Sequence, residues 1–222
     1  MRRARSVLAI LLPIVWVLSG GDSLASDTGG SAPTELEALM QGFAESGGVR
    51  ARFQESRYLS ILTDPIETTG MLYFAPPDRL ARHTTSPGRS SIVIEAGRVS
   101  LRDETGQRVF DFSTNEIAQA LVGNLMVVFR GDLKLLRERY SISFDSAAER
   151  WTLDLEPRAR ALRSVIERVQ FVGKGRDLAA METREPNGDR TIMKFSEIEI
   201  GFSWEPRDLD RIFSVDPPDT TP

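Results

Sequence analysis

Hydrophobic and polar positions repeat along this chain with two periods, and the change of period marks the elements. Leu36, Leu39, Met40 and Phe43 recur at helical spacing on one face. Thr34 and Glu37 form a capping box in front of them, and Gly47 and Gly48 end the run. This predicts a helix over 34–46. After Gly48 the period falls to two: Val49, Ala51 and Phe53 alternate with Arg50, Arg52 and Gln54. An extended segment, Thr69 to Ala75, stops at Pro76 and Pro77. Short strand candidates follow at 80–84, 91–95, 98–102 and 108–112. Pro87-Gly88, Ala96-Gly97 and Thr105-Gly106 supply the turns. Links this short admit no crossover helix, so the strands form an antiparallel meander.

A second helical pattern, 114–138, interrupts the meander. Ser113 and Glu116 cap it. Ile117, Ala120, Leu121, Leu125, Met126, Val128 and Phe129 make it strongly apolar, Gly123 and Gly131 break it, and Asp132 to Arg139 reads as a further short helix. Strand periodicity then resumes. Tyr140, Ile142 and Phe144 alternate, as do Trp151, Leu153 and Leu155. Val165, Val169 and Phe171 share one face, and Ile198, Ile200 and Phe202 another. Residues 157–163 read as a short helical turn, and the Pro- and Asp-rich stretch 216–222 as a disordered tail. The count is about eleven strands with two helical insertions. The sheet's apolar face needs a cover, and the apolar helices are its natural one. The expected class is α+β, with an apolar cleft between the layers.

The first residues follow neither period. Arg2, Arg3 and Arg5 precede an apolar run from Val7 to Leu18, and small residues stand at Ser23 and Ala25. That is the layout of a secretory signal peptide, residues 1–25, with cleavage after Ala25. The run is about a dozen residues, short for a membrane span, and holds Pro13; the competing reading is an uncleaved N-terminal anchor. The protein is expected in the periplasm, working without ATP. Ser26 to Pro33 reads as a flexible lead, and 34–215 as one domain.

Charge and chemistry narrow the function. Without residues 1–25, the 28 basic and 32 acidic residues become 25 and 31, a net charge of −6. No dense basic run remains for nucleic acid. The chain has no cysteine, hence neither a lipoprotein acylation site nor a disulfide. His83 is the sole histidine, placed on a strand beside a turn and expected to be exposed. A zinc or iron site is not indicated, and no nucleophile stands in a motif with a base. Glu197 and Glu199 alternate with Ile198 and Ile200, which assigns them to a solvated strand face. These absences favour binding over catalysis; no enzyme activity, metal or cofactor is implied.

One segment carries a resemblance. Val49-Arg50-Ala51-Arg52-Phe53-Gln54-Glu55 is followed by a polar stretch, then by Gly70-Met71-Leu72-Tyr73-Phe74 and Pro76-Pro77-Asp78-Arg79-Leu80. This resembles the periplasmic lipoprotein carriers of the LolA family, whose early strand reads roughly F-x-Q and whose G-x-L-x-F/V strand ends at a proline followed by a leucine. The order of meander, apolar helical interruption and long strands is also similar, over most of 34–205. Two departures mark a divergent member. Pro76 replaces a basic residue directly before the strand-ending proline, and Leu80-Ala81-Arg82-His83 replaces an aromatic-rich strand.

The resemblance implies an incomplete, half-open antiparallel barrel of about eleven strands, with helices as a lid over an apolar cavity. It also implies a monomeric carrier that takes an acylated lipoprotein or lipid cargo from an inner-membrane exporter, shields its acyl chains, and delivers it to an outer-membrane acceptor. The residues expected to border the cavity are Leu39, Met40, Phe43, Phe53, Leu72, Phe74, Leu121, Leu125, Met126 and Phe129. The alternative is a periplasmic module of the same fold that senses lipids or proteins.

Overall fold

Eleven antiparallel strands form one sheet, and its order explains its shape. The structure, a computed structural model, describes residues 34–111 and 126–216. The strands are β1 (Gly48–Tyr58), β2 (Ile66–Ala75), β3 (Arg79–Ser86), β4 (Ser90–Glu95), β5 (Arg98–Asp103), β6 (Gly106–Asp111), β7 (Tyr140–Ala147), β8 (Arg150–Pro157), β9 (Arg168–Lys174), β10 (Asp177–Arg184) and β11 (Arg190–Phe202). Their order is β6-β5-β4-β3-β2-β1-β11-β10-β9-β8-β7. Two meanders are thus joined at the β1–β11 pair. β6 and β7 are consecutive in sequence yet stand at opposite edges, so the sheet is not closed into a barrel. The half-open architecture and the strand number agree with expectation.

Four helices lie wholly within the described residues: α1 (Glu35–Ala44), α2 (Leu133–Arg139), α3 (Arg160–Arg163) and α4 (Pro206–Ile212). At α1, Thr34 Oγ1 accepts from the Glu37 amide at 3.3 Å, and Glu37 accepts from the Thr34 amide at 3.0 Å. Two of the orphan donors of a helix start are thereby satisfied. At α2, Asp132 accepts from the Leu135 amide at 2.9 Å. The second helical insertion is described only in part: residues 126–129 are helical, and a turn at Gly131 separates them from α2. Its expected cap at Ser113 and Glu116, and the break at Gly123, lie outside the described residues, as do residues 1–33, where a signal peptide and a flexible lead are expected.

The core follows from the alternation. The inward residues of β1, β2, β8, β9 and β11 join Met40 and Phe43 of α1, residues 126–129 and Leu136 of α2 in one apolar cluster. β2 is buried on both faces. Leu72 and Phe74 join this cluster, while Tyr73 and Ala75 join a second one with Ala81, Val93 and Phe213. That is why residues 71–75 read as a continuous apolar run. α4 covers the second cluster, with Leu209 and Ile212 against it. The ring of Tyr73 lies 6.1 Å from that of Trp204, which lies 6.3 Å from that of Phe213.

Four details differ from the sequence reading. α4 has a helical spacing, Leu209, Ile212 and Phe213, behind Pro206 at its first turn, and the sequence reading missed it. His83 is not exposed. It is half-buried under α4, where its Nε2 meets the Ile212 carbonyl at 2.7 Å and its Nδ1 meets Ser91 Oγ at 3.0 Å. Burial pushes its pKa below the ordinary value. Val165 lies before β9 rather than within it. Asp216 is held by Arg102 at 2.7 Å; the rest of the expected tail lies outside the described residues.

Candidate functional site: the apolar concave face

The inward positions form rows across the sheet. One row runs through Val99, Ile94, Leu80, Phe74, Val49 and Ile200, each opposite the next. A second runs through Phe144, Leu153, Phe171, Met181, Met193 and Glu55. Strand twist bends these rows into a trough, and the helices lie on it. The ring of Phe43 meets Trp151 edge-on at 5.9 Å, and that of Phe129 lies 5.4 Å from Phe74. Each fully buried ring of this kind contributes roughly 1.5–3 kcal/mol.

Two irregularities shape the trough. Between Arg50 and Arg52 the β1–β11 register shifts, and Glu197 takes φ +50°. A bulge of this kind re-aims side chains: Met193 and Phe195 before it, and Ile198 and Ile200 after it, all turn inward. Glu197 and Glu199 face outward, paired with Arg52 at 3.0 Å and with Arg50. The second irregularity is Gly131, at φ +64°. A Cβ there would lie 2.0 Å from the Met40 carbonyl oxygen and 2.8 Å from the Ala44 nitrogen. The chain after residue 129 therefore packs directly on the backbone of α1.

A cleft opens where α1 meets β10 and β11. Phe43, Val49, Ala51, Phe129, Leu178, Phe195, Ile198 and Ile200 line it, with Ser46 and Arg176 as its polar members. It measures about 300 Å³ counting the space open to solvent, while the cavity proper is about 10 Å³, room for about one water. Within the cleft Ser46 Oγ donates to the Phe43 carbonyl at 2.6 Å. Among the described residues, the lining is apolar apart from Ser46 and Arg176.

Of the ten residues expected to border a cavity, Met40, Phe43, Phe53, Leu72, Phe74, Met126 and Phe129 meet in one cluster, with Leu39 half-buried against it. Leu121 and Leu125 lie outside the described residues. Of the eight described, only Phe43 and Phe129 line the cleft. Met40, Phe53, Leu72 and Phe74 are at most 1 % exposed and packed. The sequence reading missed Phe195, Leu178 and Arg176. Phe195 is displaced from the Ile198–Ile200 alternation by the bulge. Leu178 stands in β10, where another register shift breaks the period.

The chain thus folds as a half-open antiparallel sheet whose apolar concave face lies under short helices. Residues 29–196 match the family described as outer membrane lipoprotein carrier protein LolA-like. The chain belongs to that family. No curated protein matches it. Among solved structures it is similar to a LolA superfamily protein from Nitrosomonas europaea, at 8% identity and TM-score 0.44, covering 78% of this chain and 94% of that one. It is also similar to the Pseudomonas aeruginosa MucA/MucB complex structure, at 11%, 0.49, 79% and 60%. An outer membrane lipoprotein-sorting protein domain from Vibrio parahaemolyticus gives 9%, 0.47, 79% and 95%.

Proposed function

We propose that this protein is a periplasmic carrier that shields the acyl chains of a lipoprotein or related lipidated molecule on its way to the outer membrane. Membership of the LolA-like carrier family supports this. The observation that carries it is the concave face: inward residues from nearly every strand are apolar, and among the described residues α1, residues 126–129, α2 and Leu162 of α3 pack on them. Acyl chains exposed to water cost about 0.8 kcal/mol per methylene, so a carrier must offer a dry surface of this kind.

The resting cleft is too small for such chains. Loading therefore requires the helical layer to lift from the sheet, and the ligand's apolar contacts must offset those that α1 loses. Leu39, Met40, Phe43, Phe53, Leu72, Phe74, Leu121, Leu125, Met126 and Phe129 are the proposed chain-contacting residues. An inner-membrane exporter as donor, an outer-membrane acceptor and a monomeric state belong to the same reading, as does the absence of catalysis.

Two measurements test it. The protein isolated from periplasm should carry acyl-lipid adducts in native mass spectrometry. After delipidation it should bind an environment-sensitive apolar dye saturably, and a diacyl lipid should displace the dye. Absence of both adduct and saturable binding overturns the reading. A stoichiometric protein partner without lipid would point to a sensing module instead.

A further inference from the structure

The concave face is not wholly apolar. In the register, Glu55 stands two residues beyond Phe53 on β1, Thr68 opposes Glu55 on β2, and Arg82 opposes Leu72 on β3. All five share the inward face. Arg82 Nη2 donates to Glu55 Oε1 at 2.9 Å and to Thr68 Oγ1 at 3.1 Å, and Thr68 Oγ1 donates to the same Glu55 oxygen at 3.4 Å. The guanidinium lies over the Phe53 ring, 4.5 Å from its centroid. The two charged side chains keep only 20% and 14% of their exposure.

One atom of this cluster is unsatisfied. Arg82 Nε is buried and has no hydrogen-bond partner. Carboxylates ordinarily take the Nε–Nη2 edge of an arginine with two parallel bonds. Here Glu55 fills only the Nη2 half of that edge. A buried donor without an acceptor is destabilising, and such an atom in a binding face marks a place for a ligand oxygen.

We propose that Arg82 is a polar anchor for the cargo and that Nε donates to a neutral acceptor, the ester carbonyl of an acylated glyceryl group. The choice of a neutral acceptor follows from charge. Arg82 and Glu55 neutralise each other, and an oxygen placed on Nε lies beside the Glu55 carboxylate. An anionic oxygen there is repelled far more strongly than a neutral carbonyl. The ring of Phe53 and the side chains of Leu72 and Met193 flank the cluster, so the attached chains have apolar surface to follow. The anchor rests on the carrier reading and adds the chemistry of the group held.

The test compares dioleoylglycerol with its dialkyl ether analogue, which lacks the carbonyls, as competitors of an apolar dye on delipidated protein. The wild type should prefer the ester on the order of tenfold, the effect of one hydrogen bond from a charged donor. Arg82→Lys keeps a cation for Glu55 but removes the Nε donor, and should bind both lipids equally, at the wild-type affinity for the ether. Glu55→Gln should gain affinity for oleate, because the anchor then carries net positive charge. Equal affinities in the wild type, or an ester preference that survives Arg82→Lys, overturns the anchor and leaves the carrier standing. A wild type that prefers oleate to the ester overturns the neutral acceptor. If neither glyceride displaces the dye, the anchor falls; if the protein also lacks acyl-lipid adducts and saturable dye binding, the carrier reading falls with it.

Discussion

The ring of Phe53 occupies the space that a side chain at residue 70 would need. The two residues face each other across β1 and β2, and a Cβ on Gly70 would lie 2.9 Å from Phe53 Cε1 and 2.0 Å from the His83 carbonyl oxygen. The Phe53 and Gly70 of the sequence motif are thus two halves of one contact, an aromatic side chain laid over a cross-strand glycine. Gly70→Ala should therefore destabilise the fold by about 3 kcal/mol, because backbone as well as a core ring must shift. The urea unfolding midpoint measures this. A change of a few tenths would mean that β2 moves aside freely.

Gly131 should behave as a packing residue and not as a free hinge. Its φ of +64° and the 2.0 Å that a Cβ would leave to the Met40 carbonyl both oppose a side chain. Gly131→Ala should cost about 2 kcal/mol or more. It should also detach α1, so that amides of Glu35–Ala44 exchange faster with solvent while those of β8 and β9 do not. Uniform protection in the variant would contradict this.

Ile198 and Leu153 both face inward, but Ile198 is half-buried at the cleft and Leu153 is fully buried. Ile198→Asp should abolish dye binding and leave a folded protein, as judged by circular dichroism. Leu153→Asp should unfold it, because an unpaired carboxylate in a dry core is costly. If Ile198→Asp binds dye as the wild type does, the ligand enters elsewhere.

Acid should loosen the outer face through His83. Burial lowers its pKa below the unfolded value of about 6.5, so the unfolded chain takes up the proton first. The stability this group contributes is present above that value and is lost as pH falls through the folded pKa. The Nε2 proton donates to the Ile212 carbonyl in the neutral form, so α4 is the element affected. Unfolding midpoints taken from pH 7.5 to pH 5 should fall, and His83→Gln should flatten the slope. An unchanged slope in that variant would assign the acid sensitivity to another group.

Helices and strands were legible where the signal is local. The capping box at Thr34 and Glu37, the stop at Gly47 and the alternation from Val49 to Phe53 depend on neighbours within four residues, and the structure contains each of them. The motif around Gly70 was visible too, although its reason, contact with Phe53, is not local. What the chain alone left hidden depends on partners far along it. β10 loses its alternation at a register shift that only pairing with β9 defines. Phe195 and Ile198 read as opposite faces until the bulge against Arg50 and Arg52 brings them together. His83 appears as a surface residue until α4 folds over it from 129 residues away. Arg82 and Glu55, 27 residues apart, carry no local sign of pairing and become a largely buried pair only when three strands align. Local sequence thus determined which segments are helix or strand, since period and caps act within a few residues. Tertiary structure decided which faces are inside and which polar atom is left without a partner, since burial depends on strand register and on the layers that close over it.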